Sequence, residues 1–243
     1  MSALGHPRVH LRRTDSTNDR ARALALTGAP HGTLVTAGEQ TAGRGRQGRS
    51  WSAPPGSSVL MSLLLREPPR LLPMIAAVAV CDVVGAQARV KWPNDVVIEQ
   101  PPRAGGGLPV LAKLAGILAE ARPQEGWAVL GIGLNVAVRL EDLPALERPA
   151  ATLEKAEADV EPTLARVLVA LETRLGEPPE RTLEAWRARD ALRGHAIAWS
   201  TAGGASRGVA DGIDGAGRLI VQLADGDRTT LDAGEVHLAR EGD

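Results

Sequence analysis

Residues 69–86, PRLLPMIAAVAVCDVVGA, read as a helix that is apolar on almost every face. Such a helix has no side to turn to water, so other elements must cover it. The sequence around it supplies the cover. Upstream lie the strand-like runs GTLVTAGEQ (32–40) and SSVLMSLLL (57–65). Downstream, RVKWPNDVVI (89–98) reads as a strand interrupted at Trp92-Pro93, since proline cannot donate to a ladder. AKLAGILAEA (112–121) and GWAVLGIGLNVAV (126–138) read as an adjacent antiparallel pair. Strands in succession between helices predict an α+β domain, a mixed sheet with helices on one face.

The remaining elements follow from local signals. Residues 8–12 predict a short strand. DSTNDRARALALTG (15–28) predicts a helix with Ser16 or Thr17 as N-cap and Gly28 at its end. EPTLARVLVALETRLG (161–176) is amphipathic, with Leu164, Val167, Leu168, Leu171 and Leu175 on one face. TLEAWRARDALRG (182–194) predicts the last helix. After Gly194 the texture changes to five short strands split by Gly and Asp turns, which predicts a small closed β-barrel. The expected division is a first domain over 1–193 and a second over 194–243.

Composition narrows the function. The formal net charge is −1, so any basic field is local rather than general. The lone cysteine, Cys81, excludes a disulfide framework and a cysteine-rich metal site, and a cytoplasmic setting is expected. No apolar run reaches membrane-span length, and the first residues lack the apolar core of a signal peptide. His6, His10, His31, His195 and His237 show no metal-ligand spacing. There is no phosphate loop of the G-x-x-x-x-G-K-[ST] kind and no G-x-S-x-G elbow. The chain has no Phe or Tyr, and its 28 basic residues include just three lysines, Lys91, Lys113 and Lys155. All three asparagines, Asn18, Asn94 and Asn135, and two of the lysines fall in short constrained stretches.

Four stretches carry chemistry. In QTAGRGRQGRSW (40–51), Gly43, Gly45 and Gly48 alternate with Arg44, Arg46 and Arg49, and no acidic residue occurs from Gln40 to Arg66. Glycines let the backbone approach a ligand, and arginines fork onto carboxylate or phosphate oxygens. One such contact is worth roughly 4 kcal/mol at an effective dielectric near 20, before desolvation. A solvated basic loop or an RNA-binding Arg-Gly segment fits the same residues. KWPNDV (91–96) groups Lys91, Asn94 and Asp95 on a stiff Trp-Pro. It suits a phosphate and its Mg²⁺, or an ordinary turn with a surface lysine. Lys113 stands among apolar neighbours beside small Gly116, aimed at an anion or snorkelling to water. Asn135 ends a strand after two glycines, where it can read an adenine edge or simply close a turn. Glu39 and Glu120 are conceivable bases with no visible partner.

DSTN, GEQTAGRGRQGRSW, SVLMSLLL, KWPNDV, KLAGILAE and GIGLNV, in this order, resemble the biotin protein ligase family. The likeness runs from about Thr14 to the C-terminus. It implies a catalytic domain of the class II aminoacyl-tRNA-synthetase-like kind followed by an SH3-like β-barrel. It implies activation of biotin by ATP and Mg²⁺ to biotinyl-5′-AMP. The product is then passed to one lysine on the biotin carboxyl carrier domain of a biotin-dependent carboxylase. In this reading Ser16, Thr17 and Gln40 bind the ureido head of biotin, and Asn18 is a further biotin-binding residue. Gly43, Arg44, Gly45 and Gly116 line the biotin. Arg46 and Lys113 act at the carboxylate–phosphate junction. Arg49, Trp51, Lys91, Asn94 and Asn135 hold ATP, and Asp95 is the candidate Mg²⁺ contact.

A helix-turn-helix preceding the motifs has no room here, so neither DNA binding nor repression is expected, nor a membrane partner. The oligomeric state stays open between monomer and homodimer. The loop at 99–111 is long for the family. Without Phe or Tyr, the apolar walls fall to Trp92, Leu114 and Ile117. The Gly/Arg loop has little to fix it until an anion arrives. A lipoate ligase shares the fold but has no ureido group for the polar residues to satisfy. A non-catalytic RNA binder would call for excess positive charge and stacking aromatics.

Overall fold

The computed structural model describes residues 4–102, 108–143, 149–201 and 204–239. The chain runs β1 (Arg8–Leu11), α1 (Thr17–Leu26), β2 (Leu34–Ala37), β3 (Ser58–Arg66), α2 (Leu72–Val84), β4 (Ala88–Lys91), β5 (Asp95–Gln100), β6 (Val110–Arg122) and β7 (Trp127–Asn135). It continues with α3 (Val160–Leu175), α4 (Pro179–Arg187), β8 (Ala196–Thr201), β9 (Gly204–Ile213), β10 (Leu219–Gln222), β11 (Arg228–Leu231) and β12 (Val236–Leu238).

The first seven strands form one sheet in the order β1-β2-β3-β7-β6-β5-β4. Only the β1–β2 pair is parallel, so the sheet is mixed. Side chains alternate between its faces with period two, and the two faces bury different cores. Leu63, Leu65, Ala128, Leu130 and Ile132 point toward α2 and α3 in the large core. Leu64, Trp127 and Val129 point the other way, against Ala21 and Ala25 of α1. Three helices thus gather on one face, and α1 occupies one end of the other. The rest of that second face is left for the Gly/Arg loop.

Helix α2 is covered all round, and Ala76 to Cys81 have no exposed surface. Helix α3 buries Leu164, Val167 and Leu171 as its periodicity predicts. Helix α4 stops at Arg187, earlier than its pattern suggests. The following residues leave the helix to pair with the edge of β4, with Val90 N bonded to Arg189 O at 2.7 Å and Ala191 N to Val90 O at 2.9 Å. The stretch at Trp92-Pro93 is not one interrupted strand. It is the turn of a hairpin between β4 and β5, which brings Lys91 opposite Asp95. The loop expected at 99–111 shrinks to the connection between β5 and β6, and its residues 103–107 lie outside the described residues.

The five predicted C-terminal strands are present as an antiparallel sheet in the order β11-β10-β9-β8-β12. The predicted closure is not. Among the described residues, β11 and β12 are its two edges and share no ladder. What covers its apolar face is the first sheet's core: Ile197, Trp199, Ile213, Leu219 and Val221 join the same buried cluster as α2. With that cover, the sheet buries its apolar residues without closing on itself. A polar tie adds register, since the buried Trp92 indole donates to Gly217 O at 3.1 Å.

Candidate active site

The Gly/Arg loop folds back on itself. Gly45 N bonds Arg49 O at 2.6 Å, Trp51 N bonds Gly43 O at 2.9 Å, and a short helical turn at Arg46–Gly48 forms the tip. Gln47 and Gly48 both take positive φ there, 55° and 75°. Glycine is required at 43: the bond from Trp51 N to Gly43 O draws the two backbones together, and a Cβ at 43 would stand 2.4 Å from Trp51 O. The expectation that little fixes this loop is corrected by its arginines. Arg44 pairs with Asp19 at 2.8 Å and Glu120 at 3.1 Å. Arg46 donates to Asn94 Oδ1 at 3.3 Å. Arg49 pairs with Glu235, just before β12.

The loop roofs a cavity whose floor is the bare part of the sheet. Register puts Leu60, Gly133, Gly116 and Asp95 in one row across β3, β7, β6 and β5. Two residues along the strands, about 7 Å away, Ser62, Gly131 and Leu118 form a second row. The Trp51 indole lies flat against the first row. A Cβ at Gly133 would be 2.4 Å from its Cε2, and one at Gly116 would be 3.0 Å from its Cζ3. The Trp51 Nε1 is buried with no hydrogen-bond partner among the described residues. Asn18 lies against the second row, where a Cβ at Gly131 would meet its Oδ1 at 2.2 Å.

The two ends differ in charge. Over the second row the groups are neutral and polar: Ser16, Thr17 and Asn18 are buried, and Gln40 Oε1 accepts from Thr17 N at 2.7 Å. Over the first row stand cations. Lys113 Nζ meets Asp95 Oδ1 at 2.8 Å and sits 5.5 Å from the Trp51 ring centre. Arg46 is half-buried, and burial lowers its guanidinium pKa, opposed by the charge of Asp95 and assisted by that of Arg49. A desolvated cation held by a neutral amide attracts an anion more strongly than a hydrated one. Lys91 and Arg49 also line this end. The arrangement suits a ligand with a polar uncharged head and an anionic tail.

Of the sequence-predicted site residues, all but Gly43 and Asn135 line this cavity. Gly43 acts behind it, in the loop's own hydrogen bonding. Asn135 is buried, its Nδ2 bonded to Ala151 O at 2.9 Å and its Oδ1 3.4 Å from Ser58 Oγ. Its amide is engaged in the fold rather than presented to the cavity. Asp95 faces Lys113. Among the described residues no group of three or more His, Cys, Asp or Glu is placed to hold a metal ion. Of the expected apolar walls, Trp92 and Ile117 line the cavity, while Leu114 is in the core. Sequence reading missed Gly131 and Gly133, although GIG at alternate positions on a strand was a signal for a bare floor. It missed Glu235 and Val236, which no local signal links to the cavity.

The model of the biotin/lipoate A/B protein ligase family matches residues 10–136, more than half of the chain. A second model, the biotin protein ligase C-terminal domain, matches residues 200–238. The biotin–[acetyl-CoA-carboxylase] ligase of Paracoccus denitrificans is 34% identical, over 93% of this chain and 98% of that protein. The chain belongs to the biotin protein ligase family. The bifunctional ligase/repressor BirA of Bacillus spizizenii is also 34% identical, over 87% of this chain and 68% of that one. The biotin protein ligase of Aquifex aeolicus, solved in complex with biotin and ATP, shares the fold with a TM-score of 0.77 at 24% identity, covering 97% of this chain and all of that one. Within this biotin protein ligase the C-terminal sheet is part of the site's wall, since Gly234, Glu235 and Val236 line the cavity.

Proposed function

We propose that this chain is an ATP-dependent biotin protein ligase. One observation carries the reading: a single cavity joins a buried neutral end built from Ser16, Thr17, Asn18 and Gln40 to a cationic end built from Arg46, Lys91 and Lys113. Biotin has that polarity, a ureido head and a carboxylate tail. Lipoate shares the carboxylate but would leave the polar end unsatisfied, at a cost of about 1–3 kcal/mol per buried group.

In the first step a carboxylate oxygen of biotin attacks the α-phosphorus of ATP. The bond to the bridging oxygen of the β-phosphate breaks, and pyrophosphate leaves. Two anions must meet, and fixed cations offset their repulsion. Lys113 stands at the junction, Arg46 covers it, and Lys91 and Arg49 face the departing phosphates. Mg²⁺ enters as part of the substrate MgATP; Asp95 is a single carboxylate already paired with Lys113, so the phosphates would supply most of its ligands. Trp51 lies where adenine would stack. In the second step a neutral lysine amine of a biotin carboxyl carrier domain attacks the acyl carbon, AMP leaves, and the amide nitrogen loses a proton. The chain needs no nucleophile of its own. We read residues 1–193 as the catalytic unit and 194–243 as the unit that completes its wall.

The test is pyrophosphate exchange into ATP with biotin, with lipoate and with neither. Exchange with biotin alone is expected. Exchange with lipoate alone would keep the cationic end and overturn the ureido assignment.

A further inference from the structure

Glu120 does not line the cavity, yet it holds the neutral end together. Its Oε2 accepts from Asn18 Nδ2 at 2.7 Å, and its Oε1 lies 3.1 Å from Arg44 Nη1 and 3.9 Å from Arg22 Nη1. Beyond Asn18 the chain continues inward. Ser62 Oγ lies 2.6 Å from Asn18 Oδ1 and 2.8 Å from Thr17 Oγ1. Thr17 Oγ1 lies 3.0 Å from Gln40 Oε1. Ser62 has no exposed surface, and Asn18 and Thr17 are buried.

Proton counting gives this chain a direction. A carboxylate only accepts, so Glu120 draws the Asn18 nitrogen toward itself and turns Oδ1 toward Ser62. Asn18 Oδ1 only accepts, so the single Ser62 proton goes there. Ser62 then has nothing left to donate to Thr17. The Thr17 proton goes to Gln40 Oε1, which only accepts. Thr17 is left with a lone pair toward the cavity, which suits an N–H of the ligand. Without Glu120, only the 3.5 Å contact to Leu118 O holds the Asn18 amide, and the amide can turn over. Ser62 then donates to Thr17 Oγ1 and takes up the lone pair that the ligand N–H needs.

We propose that Glu120 is a positioning residue that sets Thr17 as a hydrogen-bond acceptor for the ureido N–H of the substrate, acting through Asn18 and Ser62. The proposal rests on the biotin reading above. It concerns substrate selection and leaves the reacting phosphate untouched.

The experiment measures KM for biotin and for ATP in pyrophosphate exchange, with thermal melting of each variant. Glu120→Ala is expected to raise the biotin KM by about tenfold or more and leave the ATP KM within about twofold. Glu120→Gln keeps an oxygen for Asn18 to donate to, and most of the biotin affinity should return. Ser62→Ala removes the one proton that competes for the Thr17 lone pair, so it should keep the biotin KM within about threefold of wild type. In the double variant it should return most of what Glu120→Ala loses, because Glu120 acts through Ser62. Glu120→Gln as poor as Glu120→Ala would overturn the proposal, as would equal effects on both substrates or a double variant no better than Glu120→Ala. If Glu120→Ala does not fold, Glu120→Met, which keeps volume without an acceptor, takes its place under the same criteria. Wild-type protein with no biotin-dependent exchange would instead bring down the activity assignment.

Discussion

Lys113 Nζ lies 2.8 Å from Asp95 Oδ1, and the pair bridges two strands at the cationic end of the cavity. Asp95 holds the ammonium in place before any phosphate arrives. It also means that removing the lysine leaves a carboxylate where an anion must bind. Lys113→Ala should therefore reduce biotin-dependent pyrophosphate exchange by about 10²–10³-fold. Adding Asp95→Asn should recover several-fold of that loss by removing the stranded charge. Exchange that stays normal in Lys113→Ala while transfer to the carrier slows would show that Lys113 acts in the wrong step.

Gly133 is the floor beneath Trp51. A methyl there would stand 2.4 Å from the indole, so Gly133→Ala must lift the ring. The other four tryptophans are buried, which makes Trp51 the one open to a quencher. Acrylamide quenching should rise in Gly133→Ala, and the ATP KM should rise with it. Unchanged quenching would mean that the ring does not rest on this strand.

Much of the site was legible because its residues are close in sequence. Arg44, Arg46, Arg49 and Trp51 share one loop, and Lys91, Asn94 and Asp95 share one turn. Ser62, Gly131 and Glu120 were not legible as partners of Asn18. Their meeting depends on strand register, set by pairings among β3, β7 and β6 that no local pattern encodes. Asn135 shows the reverse: a good motif whose amide the fold uses for Ala151. The open C-terminal sheet was misread as a closed barrel because strand spacing reports strands, not what covers them.

Arg49 is paired with Glu235, which lies 186 positions along the chain and leads into β12. A nucleotide phosphate and this carboxylate compete for one guanidinium. Glu235→Gln should lower the ATP KM by about two- to fivefold, the scale of a partly exposed ion pair, and the effect should shrink in high salt. A raised KM would mean that Glu235 positions Arg49 rather than competing for it.

Asp190 closes the turn after α4, its Oδ1 accepting from Leu192 N at 2.8 Å and its Oδ2 buried without a hydrogen-bond partner among the described residues. Burial raises its pKa, opposed by the backbone bonds from Leu192 and Arg193. A raised carboxyl pKa favours the folded state at low pH, and that advantage is lost as pH climbs through the folded value. Comparing Asp190→Asn with wild type, the difference in Tm should move in the variant's favour between about pH 4 and about pH 8. A difference that is flat with pH would mean that Asp190 is charged at no cost.

The alternation along β7 divides its residues between two tasks. Leu130, Ile132 and Leu134 join the core under the helices, whereas Gly131 and Gly133 leave room for Asn18 and Trp51. The relief of the cavity floor is thus drawn by side chains brought from elsewhere in the chain and not by the strand they rest on. A directed-evolution library in search of new acids as substrates would vary Ser16, Asn18 and Gln40 and keep both glycines, since any larger residue at 131 or 133 displaces a neighbour.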